Sequence, residues 1–154
     1  MSFMFYYCEK LTKINSLNLS NFNTQNVTNM TAMFSGCENL IKLYLSNFNT
    51  QNVNSMAQMF YNCKNLSYLN LSNFDTKNVT KMSAVFYNCE LLSSLNIENL
   101  NFKNADDINF IFYNCINLSK INLSNIIVKN IGDYNEMFYN CLNIPKIYLS
   151  YFKK

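Results

Sequence analysis

Residues Leu43 to Tyr68 read LYLSNFNTQNVNSMAQMFYNCKNLSY, and nearly all of the remaining chain repeats this stretch. Cys37, Cys63, Cys89, Cys115 and Cys141 follow one another at 26-residue intervals, as do Phe34, Phe60, Phe86, Phe112 and Phe138. A fixed period in the range of about 20–50 residues marks a solenoid, propeller or array. Each copy then contacts mainly its neighbours, so residues 1–154 read as a single repeat solenoid without a linker.

Full copies run 17–42, 43–68, 69–94, 95–120 and 121–146, flanked by partial units 1–16 and 147–154. Met4, Phe5 and Cys8 match Met33, Phe34 and Cys37, so the sequence opens inside a unit. It closes inside another, where Ile147 to Ser150 reads as a fresh strand. The expectation is a piece, or a truncated member, of a longer array. The first three full copies are nearly alike. The last two drift, with Phe74 giving way to Leu100 and Ile126, and Thr76 to Phe102 and Val128.

Two periodicities alternate within a copy. Leu43 and Leu45 face inward from a short strand, with Tyr44 and Ser46 facing out. Val53, Met56, Phe60 and Cys63 recur at spacings of three and four, which predicts a short amphipathic helix with Gln58 and Asn62 pointing away. Between them Ser46 to Asn52 is dense in turn-forming residues. The fold class is therefore α/β, with a parallel sheet on one face of the solenoid and short helices on the other. Five columns stay chemically fixed through the full copies. They are the Phe and Cys columns, Asn21/Asn47/Asn73/Asn99/Asn125, Asn26/Asn52/Asn78/Asn104/Asn130, and the inward Leu45/Leu71/Ile97/Leu123/Leu149.

Composition narrows the function. Net charge is +3 and the lysines are scattered, so no basic stripe for nucleic acid is present. No run reaches the roughly 18 apolar residues of a membrane span. The start, MSFMFYYCEK, lacks a basic stretch followed by an apolar one, so no secretory signal is expected there.

With these residues in view, LSNFNTQNVTNMTAMFSGCENL closely resembles the 26-residue unit of the BspA-type leucine-rich repeat, found in bacterial surface proteins. Residues 17–94 match that pattern at nearly every marked position; residues 95–146 keep Phe, Cys and Leu but lose part of the Met, Thr and Val set. The resemblance implies a leucine-rich-repeat-like solenoid in surface-displayed or secreted arrays, with adhesion to host matrix proteins and other cells. It implies no catalytic residue, so none is assigned.

Candidate sites weigh as follows. The six cysteines come without a C-x-x-C and without histidine, so they read as buried small hydrophobes and no metal or cofactor is expected. Tyr61, Tyr87, Tyr113 and Tyr139 read as a boundary ladder shielding the core. Thr24, Thr50 and Thr76 read as an outward or turn ladder, with turn chemistry preferred. Asp106-Asp107 is the single acidic pair and sits at the start of a predicted helix. The candidate binding face lies along the strands: Lys42, Tyr44, Tyr68, Asn70, Asn96, Lys120, Asn122, Lys146 and Tyr148, with Ser72 beside them. Its residues vary between copies while the core stays fixed. Tyr, Asn and Ser are also the chemistry of adaptable protein-binding surfaces. The reading is a non-catalytic protein-binding or adhesion module. The alternative is a structural spacer, or an element that self-associates end to end within a longer array.

Overall fold

The computed structural model describes residues 1–8, 17–19, 21–123, 126 and 134–146. Five short strands recur along one side: β1 (Leu17–Asn18), β2 (Leu43–Tyr44), β3 (Tyr68–Asn70), β4 (Ser94–Asn96) and β5 (Lys120–Ile121). All pairings are parallel and join equivalent residues of successive copies, as in Leu17↔Leu43, Leu69↔Leu95 and Leu95↔Ile121. This register follows from burial. Leu43, Leu69, Leu95 and Ile121 are all at most 5% exposed, and a slip by one residue would turn every one of them outward. β1 and β2 form one sheet and β3, β4 and β5 another, with the single bridge Lys42↔Tyr68 between them.

Among the described residues the opposite side is built of turns in all but the last full copy. The one described helix, α1 (Tyr134–Met137), has four residues and lies in the drifted last full copy. Where a helix was expected over Val53 to Cys63, backbone hydrogen bonds split into two sets. The N–H groups of Met56, Gln58, Phe60 and Asn62 donate to Lys81, Ser83, Val85 and Tyr87 in the next copy. Those of Met59, Tyr61 and Cys63 donate three residues back, to Met56, Gln58 and Phe60. An α-helix needs every interior N–H to reach the carbonyl four residues earlier. Here half of them leave for the neighbouring copy.

Left-handed residues make this alternation feasible. Ala32, Gln58, Ala84 and Phe110 hold φ between 52° and 59°, and Asn62, Asn88, Asn114 and Asn140 between 56° and 58°. Asparagine suits that region. For Ala, Gln and Phe it costs about 1–2 kcal/mol each. Inter-copy hydrogen bonds, each worth about 1 kcal/mol net, offset it. The helix-like spacing has a separate origin. The turns Met56–Met59, Phe60–Cys63 and Cys63–Leu66 bury their first and last residues, so buried positions fall at near-helical intervals without a helix.

Between the two sides runs a continuous core. Phe5, Phe34, Phe60, Phe86, Phe112 and Phe138 stack with ring centroids 5.3–5.6 Å apart and planes within 9° of parallel. Phe48 and Phe74 begin a second stack at 6.4 Å. Among the described residues, no buried side-chain nitrogen or oxygen lacks a hydrogen-bond partner. The expected columns at Asn125, Asn130 and Leu149 fall outside the described residues.

Candidate functional site

The strand side carries the candidate face. Parallel strands with 26-residue register set its residues in two outward columns, Lys42/Tyr68/Ser94/Lys120 and Tyr44/Asn70/Asn96. Tyr44 is 57% exposed and Tyr68 47%. Lys42, Asn70, Lys120, Asn122 and Lys146 are exposed; Ser72 and Asn96 are half-buried. Tyr148 lies outside the described residues. The face is thus real as a surface, but its members are not equivalent. Asn70 Oδ1 accepts the Ser72 N–H at 3.0 Å, and Asn96 Oδ1 accepts the Glu98 N–H at 3.1 Å. Both asparagines close the strand-to-turn corner with the amide oxygen.

Tyr44 and Tyr68 flank a shallow groove of about 270 Å³, lined by Leu43, Leu45, Ser46, Asn70, Ser72 and Asn73 as well as by the two rings. It lies where the sheet is joined by the single Lys42↔Tyr68 bridge. Asn73 is fixed there because its Nδ2 donates to the Leu45 and Phe48 carbonyls of the preceding copy, both at 3.0 Å. Ser46 and Asn73 are groove residues absent from the sequence-derived set. The signal for them was present, since Ser46 has outward parity and Asn73 belongs to a fixed column.

The other candidate groups are structural. Tyr61, Tyr87, Tyr113 and Tyr139 stack at 4.6–4.9 Å, as a boundary ladder should. Beside them runs an amide ladder, with Asn88 Nδ2 on Asn62 Oδ1 at 2.9 Å and Asn114 Nδ2 on Asn88 Oδ1 at 3.0 Å. It begins at Asn62 because the preceding position is Gly36, where an added Cβ would lie 2.8 Å from Tyr7 Cγ. Thr24, Thr50 and Thr76 do not face outward. Each is 1% exposed; its carbonyl accepts the N–H three residues on and so closes the turn, as expected, while its hydroxyl binds the next copy. Asp106-Asp107 starts no helix; Asp107 Oδ1 accepts the Asn109 N–H at 3.1 Å.

The thiols are buried donors. Cys63, Cys89 and Cys115 give their S–H to the Phe34, Phe60 and Phe86 carbonyls at 3.0–3.2 Å. Burial pushes the Cys37 and Cys141 thiols up to about 12, and Cys63, Cys89 and Cys115 well above the ordinary value. All six cysteines are free. Among the described residues no three His, Cys, Asp or Glu side chains come together as a metal site, and no helix is long and apolar enough to cross a membrane.

A family model described as "Mycoplasma protein of unknown function, DUF285" matches residues 1–120 and 65–151. The chain belongs to this DUF285 family. Among solved structures it is similar to the crystal structure of the T. pallidum leucine-rich repeat protein TpLRR, with a TM-score of 0.54 and 16% identity over 99% of this chain and 73% of that one. At that identity the likeness concerns fold alone. A search of curated proteins finds no match. For this DUF285 chain the comparisons support a leucine-rich-repeat-like repeat protein; they do not extend to the narrower BspA type.

Proposed function

We propose that this chain is a non-catalytic binding module that takes a protein ligand on its strand-side face, in the setting of a cell-surface or secreted adhesion protein. The observation that carries the reading is a contrast among tyrosines. Tyr6, Tyr7, Tyr61, Tyr87, Tyr113 and Tyr139 each have an aromatic ring partner. Tyr44 and Tyr68 have none and are about half exposed. An exposed aromatic ring without an internal partner is what a binding hot spot requires. Lys42, Asn70, Asn96, Lys120, Asn122 and Lys146 extend the face, and a solenoid built from these copies would present it as one continuous surface. Adhesion and surface location come from the BspA-type resemblance.

The test is binding of the folded chain to a panel of extracellular-matrix proteins at two salt concentrations, beside a Tyr44→Ala/Tyr68→Ala variant. Saturable binding that survives salt and is lost in the variant supports the reading. Absence of binding to every member, with the chain shown folded, removes matrix adhesion.

A second reading is a spacer. On the turn side Met56, Gln58, Phe60 and Asn62 donate their N–H groups to carbonyls of the following copy, while Asn54, Thr80 and Asp106 donate theirs to the preceding copy. Copies bonded by equivalent groups at each boundary can add end to end. Concentration-dependent mass in sedimentation would favour this reading.

A further inference from the structure

We infer that Tyr61, Tyr87, Tyr113 and Tyr139 form an oxidative modification site, where a one-electron oxidant joins adjacent rungs of the ladder as dityrosine and so ties successive copies covalently. The inference stands apart from the strand-side binding reading.

The first ground is geometry. The ring centroids follow one another at 4.8, 4.6 and 4.9 Å, with interplanar angles of 10°, 2° and 15°. The rungs hold equivalent positions in successive copies, so the carbons beside each hydroxyl-bearing carbon face their counterparts on the next ring. Rungs two copies apart, such as Tyr61 and Tyr113, have a ring between them. The hydroxyl ends run together as well. Desolvation, and then the Tyr87 and Tyr139 phenols, push the Tyr113 phenol up.

The second ground is what an oxidant can reach. Tyr139 is exposed, and Tyr61, Tyr87 and Tyr113 are half-buried. Cys37, Cys63, Cys89, Cys115 and Cys141 are buried, and burial keeps their thiols protonated when the thiolate is the reactive form. Met30, Met33, Met56, Met59, Met82 and Met137 are buried too. No tryptophan or histidine lies among the described residues. The third ground is a contrast. Tyr44 and Tyr68 are exposed but have no ring partner, so a radical on either has no neighbouring phenol stacked on it. Tyr6 and Tyr7 meet edge to face at 77°, without the parallel overlap of the ladder.

The step balances as follows. Each of two neighbouring tyrosines gives one electron to the oxidant and its phenol proton to water. The unpaired electrons spread to the ring carbons ortho to oxygen, and a carbon–carbon bond forms between two that face each other. The hydrogen on each of these carbons then moves to the oxygen and restores both phenols. The pair has lost two electrons and two protons, and one hydrogen peroxide, turned over by a haem peroxidase, takes them up as two waters. Rings already held in place make the coupling a step within one molecule. The ladder lies at the surface, so joined rings have room to lean into solvent.

Treatment of the dilute folded chain with haem peroxidase and hydrogen peroxide, followed by mass spectrometry of the digested monomer, tests this. Links Tyr61–Tyr87, Tyr87–Tyr113 and Tyr113–Tyr139 are expected, in a yield independent of chain concentration. Tyr87→Phe keeps a ring in the stack; it should lose the first two links and retain the third. Circular dichroism confirms that the variant is folded. In urea the preference for adjacent rungs should vanish. Absence of dityrosine from the monomer overturns the inference. So do links found chiefly between chains or through Tyr44 and Tyr68, links that skip a rung as often as they join neighbours, and an unchanged pattern in urea.

Discussion

Thr50 holds both backbone groups of Asp75 in the next copy. Its Oγ1 donates to the Asp75 carbonyl at 3.0 Å and accepts the Asp75 N–H at 2.8 Å. Thr24 and Thr76 make the same pair of bonds with Asn49 and Asn101. A single hydroxyl thus acts as a clip between copies, fully withdrawn from water.

Removing that hydroxyl should be costly although Thr50 looks like a turn residue. Thr50→Val keeps the shape and strands two backbone groups, so stability should fall by about 1–3 kcal/mol. Thr50→Ser keeps the bonds and should recover most of the loss. Urea unfolding of the pair measures both. An outward threonine would instead give two nearly silent substitutions.

Gln58 offers a test of sign. It is exposed and has φ 58°. Gln58→Gly relieves about 1–2 kcal/mol of left-handed strain against an entropy cost of about 0.5–1, so the variant should be modestly more stable. Were residues 53–63 a helix, the same change would destabilise by about 1 kcal/mol. The direction of the shift in urea midpoint decides.

Phe60 is stacked on both sides, at 5.6 Å from Phe34 and from Phe86. Phe60→Ala should cost about 3–5 kcal/mol and lower the urea midpoint sharply. Tyr139→Ala, with one stacked neighbour and 58% exposure, should cost far less.

The thiols predict alkaline lability. Burial raises their folded pKa above the ordinary 9.0, so the folded chain keeps protons that the unfolded chain gives up. Stability is then fully present below about pH 8.5 and falls as pH rises toward the folded values, by roughly 1 kcal/mol per pH unit for each thiol. Urea midpoints between pH 7 and 10 should stay level at first and then decline. Replacing Cys63 by Ala should make the decline shallower. At neutral pH a thiol reagent should reach half-buried Cys8 first, and Cys37, Cys63, Cys89 and Cys115 only on unfolding. Rapid labelling of all six in the folded chain would contradict this.

Much of the architecture was legible because stacking preserves identity. A position that must contact its own copy above and below repeats its chemistry, which is why the Phe, Cys and Asn columns stand out at 26 residues. The outward parity of Tyr44 and Tyr68 was readable for a related reason, since strand alternation is local. The helix was misread because three-residue turns bury residues at almost the same intervals as one helical face. Spacing alone does not reveal where an N–H points.

The sequence by itself therefore determined the period, the parallel register and the identity of the inward columns. Each of these is a property of one residue and its equivalent in the next copy. Tertiary structure alone decided the partners. Tyr87 is stacked and Tyr44 is bare, Asn70 has one end committed and Thr50 is a clip, although all three residue types suit turns and surfaces. The physical reason is that a polar or aromatic group is defined by what faces it across a copy boundary. That pairing exists only once the chain has been wound through left-handed residues such as Gln58 and Asn62, which send every second N–H out of its own copy.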